Sequence, residues 1–235
     1  MRGVFAVVVV AVWSMAVAGS AIPATQTSPG ALVASAMAAM RAQTSYNYVA
    51  ASTSAPNIGA STVSIVGEAN RTEGEQRIHY TKGGKTGQAT VLVVANTAYI
   101  FGDRFTLQNY MGFPLATADA YQGQWLSLAH TAPDFAAVAA DVRLDSSSIS
   151  ELKMPAGARI VGNSTVLGQN AIGVTAAIHH AGLTAEDTLY IRATDPKLPV
   201  EQLVTLHGKV IEQVTFSRWG KPVHETAPVG AIPIR

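Results

Sequence analysis

The sequence contains no cysteine. That excludes a disulfide framework, a thiolate metal site and a cysteine nucleophile, so any fold must be held by its core. It also removes the residue that would carry acyl chains behind a lipoprotein signal peptide. Charge is scarce as well. Only 13% of residues are charged, with 16 basic against 15 acidic and a formal net charge of +1. No basic patch or stripe is available to neutralise phosphates, so no nucleic-acid partner is expected. After the first 20 residues no stretch is long and apolar enough to span a bilayer.

One long apolar run is present, and it is N-terminal. Arg2 is followed by an unbroken apolar or small stretch, Val4 to Ala18, and then by Gly19-Ser20-Ala21. A basic start, an apolar run and a small-x-small end are the three parts of a secretory signal. Cleavage is expected after Ala21, with Ala24 as the alternative site. An uncleaved anchor is the competing reading, but the run falls short of the roughly 20 residues that span comfortably. Residues 1–21 are thus read as a signal peptide, 22–28 as a flexible lead and 29–235 as a single domain. Removing residues 1–21 takes away Arg2 and leaves 15 charges of each sign. The expected product is an exported monomer, secreted or in the cell envelope, with at most peripheral membrane contact.

Hydrophobic periodicity then gives the elements. Ser28 suits a helix N-cap and Pro29 the first helical turn. Val33, Ala36, Met37 and Met40 recur at helical spacing, so a helix is expected from about Pro29 to Gln43. Alternating patterns predict strands over 45–54, 62–68, 76–81, 89–94 and 98–101, with a turn at 56–59. Residues 102–128 are mixed and end in a strand near Trp125-Leu126. Phe135, Val138, Ala139 and Val142 mark a helix over 133–144, and 146–154 reads as a second short helix stopped by Pro155. Strands follow at 159–167, 170–179, 187–193, 200–206 and 209–217, the last two joined by a His207-Gly208 turn. The tail 222–235 is broken by prolines and expected to be extended. Strands, helices, then strands predict an α+β fold with helices on one face of an antiparallel sheet.

Motifs for chemistry are weak. Gly84-Lys85-Thr86 resembles the end of a phosphate-binding loop, but His79 stands where its first glycine is required, and the segment leads into a strand. A hairpin turn explains its glycines better. The six histidines form no zinc spacing, and adjacent His179 and His180 point to opposite faces of a strand. No G-x-S-x-G elbow is present. A carboxylate pair cannot be assigned from sequence, since its definition is a distance in space. No catalytic residue, metal ligand or cofactor is expected. Two N-x-S/T sequons occur, at Asn70 and Asn163.

Apolar surplus is the more informative feature. Met37, Met40, Leu107, Tyr110, Met111, Phe113, Phe135 and Val138 present large apolar faces. They are candidates to line a ligand cavity, against the alternative of an ordinary dense core. Methionine is adaptable enough to serve either purpose.

The C-terminal third carries a resemblance. Leu189-Tyr190-Ile191 is followed by Asp195-Pro196-Lys197-Leu198-Pro199-Val200 and a hairpin. Then come Val214-Thr215-Phe216-Ser217-Arg218-Trp219-Gly220-Lys221-Pro222-Val223 and Ala227-Pro228. This order is similar to the C-terminal signature of the LolA-like lipoprotein-carrier superfamily, nearest its actinobacterial LppX/LprG-type lipid-binding branch. The N-terminal helix before a tyrosine-rich strand and Gly123-Gln124-Trp125-Leu126 resemble the same family in the same order. The resemblance implies a strongly curved antiparallel sheet, a half-barrel, with helices covering its concave face and an apolar cavity that holds acyl chains. It implies no catalytic residues. The chain departs from that branch in lacking the lipobox cysteine, so a diffusible rather than tethered protein is expected.

The leading expectation is an exported carrier of a lipid or lipidated ligand. Two alternatives remain: a non-catalytic structural or protein-interaction module of the envelope with a protein partner, and an envelope hydrolase.

Overall fold

Alternation of apolar and polar residues fixes most of the structure. In Gly74–Lys82, Gln76, Ile78 and Tyr80 are buried while Arg77 and His79 are exposed. That is the period-two signature of a strand with one covered face. The computed structural model describes residues 28–54, 60–144, 154, 157–180 and 183–234. The expected signal peptide, the expected turn at 56–59 and the expected short helix over 146–154 fall outside these residues, apart from Met154.

The elements in chain order are α1 (Pro29–Arg41), β1 (Ser45–Thr53), β2 (Ser61–Asn70), β3 (Gly74–Lys82), β4 (Lys85–Val94), β5 (Thr97–Gly102), α2 (Arg104–Asn109), α3 (Leu115–Tyr121), β6 (Leu126–Ala129), α4 (Phe135–Val142), β7 (Arg159–Val166), β8 (Gln169–His180), β9 (Leu183–Arg192), β10 (Pro199–Leu206), β11 (Lys209–Ser217) and β12 (Ile232–Ile234). The fold is α+β. Its sheet is open and curved, not closed into a barrel, and its 12 strands run in the order β12-β6-β5-β4-β3-β2-β1-β11-β10-β9-β8-β7. From β1 to β6 and from β7 to β10 each strand pairs antiparallel with the next, whereas β12 lies parallel to β6. The extended tail expected from its prolines thus ends as an edge strand.

Chain contacts divide the described residues into two compact units. The first holds 43–144 and 214–234. Its strands β2 to β5 are consecutive hairpins, and the β3–β4 turn is Gly83-Gly84, both at positive φ. Gly84-Lys85-Thr86 is therefore a hairpin. Across β1 to β6, Tyr48, Gly67, Gln76, Val91, Ile100 and Leu126 stand in one row, and Ala50, Ile65, Ile78, Ala89 and Gly102 in another. These rows form one face, on which α4 packs across β2 to β5 and α2 across β4. Helix α2, and α3 beside it, occupy the segment that the sequence left as mixed.

The second unit holds 28–42, 154 and 157–213. Helix α1 begins as expected: the Ser28 hydroxyl accepts from the Ala31 amide at 3.2 Å, and Pro29 sits in the first turn. It rests on β9. The β10–β11 connection is His207-Gly208, with both residues at positive φ, the conformation a tight hairpin requires.

Candidate functional site

The eight cavity candidates divide between the units. Leu107, Tyr110, Met111, Phe113, Phe135 and Val138 belong to the first, Met37 and Met40 to the second. Leu107, Met111, Phe135 and Val138 are buried. Leu107 sits close over Gly102, where an added Cβ would meet its Cδ2 at 3.2 Å. Tyr110 and Phe113 are half-buried. In the second unit Met40 is buried and Met37 half-buried on α1.

Within the first unit the covered face changes character along its strands. Under α4 it is dense: Val142 packs directly on Gly74. At the other end of the strands cover is incomplete. Ala50 and Val63 are half-exposed, as are Phe105, Tyr110 and Phe113 beside them in the chain segments that follow β5. Tyr80 stacks on Phe105 with ring centroids 5.7 Å apart and meets Tyr110 at 5.4 Å. An aromatic margin therefore borders the open end of the face. Such offset and tilted pairs add to the stabilisation from burial alone.

One polar set interrupts this apolar face, and periodicity gave no sign of it. The Tyr48 ring lies across Gly67, where a Cβ would collide with it. That passage lets its hydroxyl reach β3. Gln76 Nε2 donates to Tyr48 Oη at 2.6 Å and to the Asp141 carbonyl of α4 at 2.6 Å. Burial raises the Tyr48 hydroxyl well above its usual pKa, helped by neighbouring Tyr46, Asp141 and Tyr110. Burial likewise raises Tyr110 to about 12, with added effect from Asp141 and Tyr80. Both phenols are therefore neutral hydrogen donors at physiological pH. In sequence the only trace is a glutamine in the apolar phase of β3.

The opposite face of the first unit carries Glu68, Glu75 and Glu225, whose carboxylate oxygens lie within 4.8 Å of one another. Among the described residues this is the one group with metal-ligand proximity, and its hard oxygen donors suit calcium or magnesium. The groups are already engaged. Asn47 Nδ2 donates to Glu68 at 2.9 Å, and Arg77 forks onto Glu75 at 3.0 and 2.8 Å. Burial and the carboxylates of Glu75 and Glu68 raise Glu225 to about 7. A proton shared with Glu68 relieves the repulsion.

The second unit has an apolar face of its own. Val174 pairs with Leu189 and then Gln202, Ala176 with Asp187 and then Val204, and Ile178 with Ala185. Val174 and Leu189 are buried, whereas Ile178, Ala185 and Val204 are half-exposed. Asp187 is its buried polar member. It accepts from Gln202 Nε2 at 3.1 Å on both oxygens, and burial raises its pKa.

No family model matches the chain, and no curated protein sequence matches it. Solved structures do. The chain is similar to LprF of Mycobacterium bovis, with a TM-score of 0.59 and 14% identity, over 86% of this chain and 97% of that one. It is more distantly similar to the lipoprotein LppX of Mycobacterium tuberculosis, with a TM-score of 0.44 and 13% identity, over 83% and 97% of the two chains. The LprF likeness shows a shared fold. It supports, at that level, the resemblance to the LolA-like carriers drawn from the sequence.

Proposed function

We propose that the protein is a non-catalytic carrier that binds an acyl chain or similar apolar ligand, working outside the cytoplasm. The observation that carries this reading is the unfinished apolar face of the first unit. Val63, Phe105, Tyr110 and Phe113 stay half-exposed around an aromatic margin, where a self-sufficient core would close. Leu107, Met111, Phe135 and Val138 form the packed floor, and Tyr110 and Phe113 make the ligand contact. Met37 and Met40 serve the equivalent apolar face of the second unit. Each methylene removed from water contributes about 0.8 kcal/mol, so a short acyl segment suffices for binding without a charged contact. The LprF-like fold agrees with this reading, and the apolar N-terminal run agrees with export.

Its test is uptake of a fluorescent long-chain acyl probe. Wild type is expected to bind it with micromolar or better affinity. Val63→Trp should cut binding about tenfold by filling the open end, while the melting temperature stays within a few degrees. Absence of binding by wild type would remove the carrier reading. Unchanged uptake by Val63→Trp would place the ligand elsewhere.

A further inference from the structure

Gln76 spends both amide hydrogens, on Tyr48 Oη and on the Asp141 carbonyl, and its amide oxygen accepts nothing from the described residues. Tyr48 is 8% exposed; its oxygen accepts from Gln76, and its own hydroxyl proton has no acceptor among the described residues. Tyr110, close enough to act electrostatically on Tyr48, also makes no hydrogen bond through its hydroxyl there. Buried donors without acceptors are rare and costly, and a native structure normally supplies a partner. Here one buried donor, the Tyr48 hydroxyl, is left over, and the Tyr110 hydroxyl and Gln76 amide oxygen, neither of them fully buried, also lack a partner among the described residues, on a face otherwise made of Ile65, Ile78, Val91 and Ile100.

The geometry points to a subsite for an uncharged oxygen group of the bound ligand, an ester carbonyl or a hydroxyl, taken by the Tyr48 and Tyr110 hydroxyls and the Gln76 amide oxygen. This deepens the carrier reading and rests on it. Tyr48 donates to the ligand oxygen, and Gln76 accepts where that oxygen carries a hydrogen. The ligand group is uncharged because, among the described residues, no lysine or arginine bears on either phenol, whereas Asp141 bears on both. A carboxylate brought to the buried Tyr48 hydroxyl would lose its solvation and gain no cation in return. The class selected is therefore an esterified or hydroxylated lipid, not a free fatty acid or bare hydrocarbon.

The experiment is displacement of N-phenyl-1-naphthylamine from the full-length protein by methyl palmitate, hexadecane and palmitate. A site built to hydrogen-bond an oxygen disfavours the analogue lacking it. Tyr48→Phe keeps the ring over Gly67 and deletes only the hydroxyl. It should weaken methyl palmitate about fivefold, as loss of one neutral hydrogen bond does, and leave hexadecane unchanged. Tyr110→Phe, at a half-exposed position where folding is not at stake, should weaken the ester at least twofold. Wild type should bind palmitate more weakly at pH 8 than its methyl ester. The subsite is overturned if both variants bind ester and alkane in the wild-type ratio, or if palmitate binds wild type as well as the ester does. If wild type binds neither the dye nor any of the three, the carrier reading itself fails, a result distinct from loss of ester selectivity alone.

Discussion

At the scale of single residues, the positions that matter most are those where a side chain is missing. Gly67 gives the Tyr48 ring its path to Gln76. Gly67→Ala forces that ring aside in a packed face, and overpacking of this kind costs about 1–3 kcal/mol. Urea denaturation should show the loss; a change below about 0.5 kcal/mol would mean that Tyr48 relaxes freely. Glu225 offers a second test. Its carboxyl has an ordinary value of 4.5, raised to about 7 in the folded chain by burial, Glu75 and Glu68. Between those values the folded state holds a proton that the unfolded state has released. Stability gained from the protonated group is therefore lost as pH rises through about 7. Thermal melts from pH 5 to pH 8 should fall for wild type and fall less for Glu225→Gln. Parallel curves would show that the group titrates normally.

Among the elements, α2 is held by a polar anchor, Asp103, as well as by the packing of Leu107 and Phe105. Asp103 caps it by accepting from the Thr106 amide at 2.8 Å, and the same carboxylate accepts from the Gln88 amide of β4. Asp103→Ala removes a helix cap and a strand anchor together, at a cost of about 2 kcal/mol. Equilibrium unfolding measures it directly; a loss under about 0.5 kcal/mol would show that the packing of Leu107 and Phe105 holds the helix without the cap. Elements of this kind mark the limit of the sequence reading. Helix α1 was legible because Ser28, Pro29 and a repeated apolar stripe agree. The β3–β4 and β10–β11 hairpins were legible because glycine is what their positive φ angles favour. Helices α2 and α3, with six and seven residues, are too short to show a helical period. Strand β9 starts at Leu183, earlier than its apolar pattern indicates, because Thr184 and Glu186 are held by pairing to His179 and Ala177, not by burial. The apolar candidates could be named from stripes, but Tyr48, Gln76 and Asp141 lie on three elements and meet only through register and helix docking.

For the molecule as a whole, sequence and structure agree on an α+β fold built around an open curved sheet. The functional claim turns on the incomplete end of the first unit's apolar face, where aromatic side chains remain half-exposed. A face of that kind is stabilised when an apolar ligand covers it, and the ligand then raises stability by mass action. The most direct measurement is native mass spectrometry of protein purified from its own host, followed by organic extraction. A bound mass is expected that is lost on extraction and recovered in the organic phase as an ester- or hydroxyl-bearing lipid. Protein that carries no such mass as isolated, and takes up none when offered lipid, would contradict that functional claim.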